Sequence, residues 1–544
     1  MIKAGSSKTL LFSVVIILQV FLCRLPKASA LSSQCVPRPT AFVPEFDSRK
    51  TTPAYHIKIE PRPRSHNSKD FQNCRHNLQA QQELIKLIED SQDCRSLGDV
   101  IRNSNFLFHS NYAIKALVEK LVELKPGMGS RDISGLLNVL SKSRVPKSSK
   151  SVHGTLMSNL AELSLQKFHL FEARDISMML NALARRNINN RKVFNTAGDL
   201  AVEILDEFNP LDIAQMMNAF ARMEHWHEPV FTRVATIAIP ILPRFSAQGI
   251  ANTANAFAKS GQKHPDLFDG MAQASISIIH NFNAQGLANT VNAFAKMEHN
   301  HTELFDAVAE AALPLIDTFK PQELAITVHA FAKVGHLHPK LFEAVGKAAV
   351  PTLGSFTTQN LANMVQAFSK NEHDDVELFQ AVADMALTRM KDFNAQDVAN
   401  TVNAFSNAGY YHTALFEETA RVAILMMHTF NTQELANTAM SYAKVQHHQP
   451  GLFDQIAEAS MKKIDELNTQ DVSNLATAFS LMGYVQPVLM NEMAKVSLEM
   501  LTEFTPYHLA ETALAYSAMS DIHNSQFLLA AIDDELERRF GGPI

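Results

Sequence analysis

Tryptophan occurs once in this chain of 544 residues, tyrosine eight times and glycine only 19 times, against 34 phenylalanines. A β-rich chain would need more turn residues and more β-branched runs, so these shortages point to helix. Cysteine is equally thin. Cys23, Cys35, Cys74 and Cys94 all lie in the first fifth, and no Cys-x-x-Cys pair exists. That pattern excludes a disulfide framework and a cysteine zinc site. Gly127-Met128-Gly129 lacks the Lys-Ser/Thr of a phosphate loop, and there is no Gly-x-Ser-x-Gly, His-Glu-x-x-His or kinase catalytic loop. No catalytic residue, cofactor or metal is expected, and the chain reads as a non-enzyme.

The net charge of −6 hides a split. Residues 1–200 carry 29 Lys/Arg against 16 Asp/Glu, whereas residues 201–544 carry 20 against 39. A basic end can attract a polyanion, but an acidic body opposes nonspecific nucleic-acid binding, which depends on phosphate neutralisation.

Residues 1–30 read as a signal peptide: Lys3 and Lys8, an apolar stretch from Leu10 to Cys23, then the small-residue site Ala28-Ser29-Ala30. That stretch is too short for a membrane span. Residues 31–74 read as a transit-like disordered segment, rich in Ser, Pro and Arg, and no acid precedes Glu45. The two together resemble the bipartite presequence of plastids enclosed by extra membranes, and Ala41-Phe42-Val43-Pro44 resembles its Ala-Phe-x-Pro junction, though it lies past Ala30. Delivery to a plastid is the first expectation; a mitochondrion is the alternative, and plain secretion the third.

The rest of the chain repeats. Phe282-Asn-Ala-Gln-Gly-Leu-Ala-Asn-Thr-Val-Asn-Ala-Phe-Ala-Lys296 matches Phe245 to Lys259 and Phe393 to Asn407. A leading Phe recurs at 171, 208, 245, 282, 319, 356, 393, 430 and 504, with Leu467 in the remaining place, always in steps of 37. A further copy surrounds Asp132 to Asn138, offset by 43, and the extra six residues fit the basic, Ser-rich stretch Ser141 to Ser151. Each unit spells two helices. In the first, an Asn cap precedes an acid at the third helical position in Asn431-Thr-Gln-Glu434, and Leu287, Val291, Phe294 and Ala295 mark one apolar face. The second begins near Leu304-Phe305. One hairpin cannot bury its apolar face alone, so the copies must stack. The expectation is an all-α, right-handed αα superhelical solenoid of about ten to eleven repeats, on the order of 100 Å long from helix packing distances. Its predicted parts are an N-terminal helical cap over 75–127, the array over 128–520 and a C-terminal cap over 521–544.

A 37-residue αα unit with an Ala-Asn-Thr-x-Asn-Ala-Phe-Ala-Lys core resembles the organellar helical-repeat family. That family includes heptatricopeptide and octotricopeptide proteins, FAST-kinase-type leucine-rich proteins and the repeat subunits of the RNA-editing substrate-binding complex. Tetratricopeptide units differ in period, about 34, and in signature. The resemblance covers about residues 130–520 and implies organellar RNA binding in RNA processing, stability or ribosome biogenesis. Many relatives end in a RAP domain of nuclease-like fold. Here the chain stops about 25 residues after the last repeat, so no cleavage role is carried over.

Three ladders are candidates for contact with RNA. Arg185, Arg222, Lys259, Lys296, Lys333, Lys370 and Lys444 lie 14 residues after the leading position, and stacking would align them as a phosphate stripe. Cations completing the helix dipole are the plain alternative. Asn252, Asn289, Asn363, Asn400, Asn437 and Asn474 lie seven after it, and Asn181, Asn218, Asn255, Asn292 and Asn403 ten after it, so both sets share one side of the first helix. Asn is a poor residue inside a helix. An inter-repeat hydrogen-bond ladder is the favoured compensation; base-edge or ribose contact, with readout varying at His329 and Gln366, is the other. The third ladder pairs His225, His299, His336, His373 and His447 with His227, His264, His301, His338 and His412. Hairpin spacing keeps these too far apart for a shared zinc ion, so packing or RNA contact is expected of them.

The leading expectation is a monomeric organellar RNA-binding solenoid. It would take single-stranded RNA, with other ribonucleoprotein subunits as further partners and no membrane span in the mature protein. A protein-binding scaffold of the armadillo or HEAT type is the alternative.

Overall fold

The computed structural model describes residues 82–103, 111–143, 150–519 and 522–540. The presequence readings, with Cys23, Cys35 and Cys74, lie outside the described residues. The described residues form helices joined by short turns, stacked as αα hairpins in chain order. No described helix is long and apolar enough to cross a membrane. The chain is an all-α solenoid, as the 37-residue period predicts.

One unit shows how the sequence builds the rest. Asn283 caps the first helix of its hairpin, helix A (Ala284–Lys296), by accepting the N–H of Gly286 at 2.8 Å. Ser246, Thr357, Asn394, Asn431 and Asn468 cap the neighbouring A helices in the same way. At Asn431 the expected capping box closes, with Glu434 accepting the Asn431 N–H at 2.9 Å. Each A helix from Ala173–Arg185 to Thr469–Met482 is followed by a residue of left-handed backbone, 16 positions after the leading residue. It is Gly261, Gly335, Gly409 and Gly483 in alternate repeats, and Asn187, Glu224, Glu298, Glu372 and Gln446 in the others. The chain then reverses into helix B (Thr302–Ala312 in this unit), and a short 3-10 turn, Leu313–Thr318, delivers the next leading Phe, Phe319.

The register holds from end to end. Helix A of the first full unit is Ser130–Lys142, with buried Met128 in the leading place, and the last unit pairs Pro506–Ser517 with Ser525–Phe540. That makes eleven hairpins among the described residues, and the stretch expected as a C-terminal cap contains the B helix of the last. Before them, Cys94–Asn103 packs on Ser130–Lys142 and Asn111–Leu124 on Lys150–Ser164. Cys94 is buried and free, and burial pushes its thiol up to about 11.

One apolar core runs through the stack, with Phe268, Phe294, Phe305, Phe331 and Phe342 among its wholly buried side chains. Phe294 meets Phe268 of the preceding unit edge-on at 4.9 Å between ring centres, and Phe331 meets Phe305 at 5.0 Å. Between neighbouring A helices the packed residues are small: Ala288, Thr290, Ala293 and Ala295 are all buried. These helices therefore lie against one another along their length, while B helices touch their neighbours less extensively, both directly and through the 3-10 turns.

Candidate nucleic-acid interface

Four positions of helix A, at 3, 7, 10 and 14 after the leading residue, fall on one face because steps of three and four keep to one side of a helix. Their neighbours between steps, such as Leu287, Ala288, Val291 and Phe294, are buried. The four-position face is therefore the open side of the A layer. The second, third and fourth positions hold the asparagine and cation ladders. The first holds a row that sequence reading passed over: Gln248, Gln285, Gln322, Gln359, Gln396, Gln433 and Gln470, all exposed. Its signal was available, since it repeats with the same period.

The cations stand where the stripe reading needs them. Arg185, Arg222, Lys259, Lys296, Lys333, Lys370 and Lys444 are all exposed, and among the described residues no ion pair involves any of them. Consecutive members are close. Lys444 Nζ donates to Oδ1 of Asn407, its counterpart one repeat earlier, at 2.6 Å. Partial burial first, then the neighbouring Lys259 and Lys333, hold the Lys296 ammonium below the usual lysine range. His329, one turn before Lys333, is pushed down by burial first and then by Lys333, Lys370 and Lys296. The stripe also extends one unit further than the sequence suggested. Counting from Met128 places Asn138 in the third row and Lys142, which is exposed, in the fourth. The six-residue insertion that follows them obscured this register.

The asparagines do not make the inter-repeat ladder that sequence favoured. Asn181, Asn218, Asn255 and Asn292, with Asn252, Asn289, Asn363, Asn437 and Asn474, are half-buried, and among the described residues their amides have no hydrogen-bond partner. Among the described residues of these rows only Gln366 reaches across repeats, from Nε2 to Asn400 Oδ1 at 3.4 Å, while Asn403 accepts from Asn407 within its own helix at 2.9 Å. A different ladder links the repeats. Ser134 Oγ donates to Asp175 at 2.8 Å, Ser177 to Asp212 at 2.9 Å and Thr358 to Asp397 at 2.8 Å. Those aspartates sit in the first turn of helix A and are buried, with Asp175, Asp212 and Asp397 each at most 5% exposed.

This arrangement explains how an acidic body can carry a cationic face. Across all eleven units the four rows contain one acid, Glu511, in the last unit. Carboxylates in the first turn of the A helices, such as Asp175, Asp212 and Asp397, are buried, while Asp269, Glu303, Asp306, Glu343 and Glu458 lie on the B helices and Glu298, Glu372 and Asp392 on the connecting turns. Over the last two units the face changes character: Leu481, Tyr507 and Leu514 are exposed in rows that elsewhere hold Lys, Gln and Asn.

The histidines turn out to be structural. His301, His338 and His412 cap the B helices, each Nδ1 accepting the N–H three residues on, at 3.3, 3.2 and 3.2 Å. His299 lies against Phe268 and Phe294 and bonds Asp269 of the preceding unit at 2.7 Å, and His336 repeats this with Phe305, Phe331 and Asp306.

Among curated proteins the chain has no match. Among solved structures it is similar to a chain of a "Homology model of the full-length AP-3 complex in an intermediate open conformation", at 10% identity over 87% of this chain and 88% of that one, TM-score 0.28. It is also similar to a "Circular tandem repeat protein with novel repeat topology and enhanced subunit contact surfaces", at 14% identity over 85% and 95%, TM-score 0.16. Neither likeness bears on function. The family model for RNA-editing substrate-binding complex 6 protein matches residues 124–354 and 340–537, which takes in all eleven hairpins, and the chain belongs to that family.

Proposed function

We propose that this protein is an organellar RNA-binding repeat protein that holds single-stranded RNA along the open face of its A helices, in RNA processing, stability or ribosome biogenesis. The observation that carries the reading is the cation row. It supplies about one positive charge per repeat, free of acids, on a face whose other rows are uncommitted amides. Phosphates of a strand following the stack would meet Lys142, Arg185, Arg222, Lys259, Lys296, Lys333 and Lys370 in turn. The half-buried Asn amides beside them offer both a donor and an acceptor to a base edge or a ribose hydroxyl. The family's association with an RNA-editing complex supports RNA as the ligand and further subunits as company. The role proposed for this face is binding rather than catalysis. Delivery to a plastid, or else a mitochondrion, rests on the presequence. The apolar turn at Leu481, Tyr507 and Leu514 suits contact with another subunit, so a scaffold role can coexist at that end.

Ultraviolet crosslinking of the full chain, expressed in cells and purified, tests the reading. RNA should crosslink to the wild type and fall away when the seven stripe cations from Arg185 to Lys444 become Gln. Undiminished crosslinking, or a co-purifying protein with no RNA, would sink it.

A further inference from the structure

The third row of the face has an order that a nonspecific grip does not require. Five consecutive repeats present the same residue there: Asn138, Asn181, Asn218, Asn255 and Asn292. The next two present His329 and Gln366, and Asn403 follows. In each of the five a cation lies one turn on: Lys142, Arg185, Arg222, Lys259 and Lys296. All five amides are half-buried, and among the described residues none has a hydrogen-bond partner.

Resting on the RNA-binding reading above, we propose that this segment selects a run of one repeated base, about five nucleotides long at one base per repeat. A carboxamide on a fixed helix at a fixed pitch offers its donor and acceptor in the same orientation in every repeat. Whichever base edge suits the first then suits all five. A mixed sequence leaves some half-buried amides facing the wrong edge, and an amide desolvated without a partner is penalised. The cations add affinity without preference, because every nucleotide carries the same phosphate. His329 and Gln366, different from Asn and from each other, end the run.

The test is fluorescence anisotropy of the full chain with labelled RNAs of about twelve nucleotides. The set comprises oligo-A, oligo-C, oligo-U, oligo-I standing in for oligo-G, and a mixed sequence of balanced composition. One homopolymer should bind at least about tenfold tighter than the mixed sequence, the discrimination that a few good amide–base pairs allow. The double variant Asn255→His, Asn292→His shortens the run and should lose most of that preference while keeping the salt dependence, and His329→Asn should lengthen the run and increase it. Equal binding of all five RNAs, or a mixed sequence binding best, overturns the base-run proposal and leaves RNA binding standing. No measurable binding of any RNA at low salt overturns both.

Discussion

Lys444 reaches back one repeat to hydrogen-bond Asn407 at 2.6 Å, and both occupy the same place in consecutive A helices. Where asparagine replaces the cation, the next repeat's lysine leans into the gap. Fourth-row side chains of neighbouring repeats are therefore within touching distance, which a strand tracking from one cation to the next requires.

The unpartnered asparagines make stability and binding move in opposite directions. Asn inside a helix is less favourable than Ala by about 0.5 kcal/mol. Among the described residues the side chains of Asn252 and Asn289 have no hydrogen bond to offset that. Asn252→Ala with Asn289→Ala should therefore raise the melting temperature slightly and weaken RNA binding. A loss of stability would mean that the amides serve the fold.

The Ser–Asp ladder should behave oppositely. Ser177 donates to the buried Asp212 of the next repeat at 2.9 Å. Ser177→Ala removes that donor and should cost about 1–3 kcal/mol, the range for stranding a buried polar group. Urea denaturation followed by circular dichroism measures it, and an unchanged midpoint would contradict the ladder.

The turn between helices A and B stores a small strain. Gly335 has φ +70° and open space where a Cβ would stand. Gly335→Ala should therefore destabilise by conformation alone, about 1 kcal/mol. Glu372 holds the equivalent backbone at φ 51° without glycine's freedom. Glu372→Gly should gain a few tenths of a kcal/mol, the relief being partly cancelled by glycine's extra unfolded-state entropy. Differential scanning fluorimetry on both variants checks the signs.

Acid should loosen the N-terminal repeats first. Burial, reinforced by Arg186, lowers His153 to about 4 from the ordinary 6.5. Between those values the unfolded chain binds the proton and the folded one does not, so stability is complete above about pH 6.5 and falls as pH drops toward 4. Hydrogen exchange across Lys150–Ser164 should speed up over that window, and His153→Phe should flatten the dependence. Exchange insensitive to pH after correction for intrinsic rates would refute it.

Most of the fold was legible because a repeat multiplies its own evidence. A Phe every 37 residues, an Asn or Ser cap beside it and Ala at the close contacts state the hairpin and its stacking many times over. The functional face was half legible. Periodicity placed Lys259 and Asn255 on one side of the helix, but it cannot say whether an amide has a partner. Periodicity alone therefore favours a structural ladder over a contact at Asn292. The true ladder, Ser177 to Asp212, was hidden because its two members lie in different repeats and only stacking brings them together. His299 invited a functional reading for the same reason: its partners, Phe268 and Asp269, belong to the preceding unit.

The central claim is that exposed A-helix cations neutralise RNA phosphates one by one. The slope of log affinity against log salt tests it most directly, measured for the wild type and for Lys259→Gln, Lys296→Gln, Lys333→Gln combined. Each phosphate contact on a single strand contributes about 0.7 to that slope, so the triple variant should be shallower by about 2, with its fold intact. A slope unchanged by the three substitutions would contradict the account.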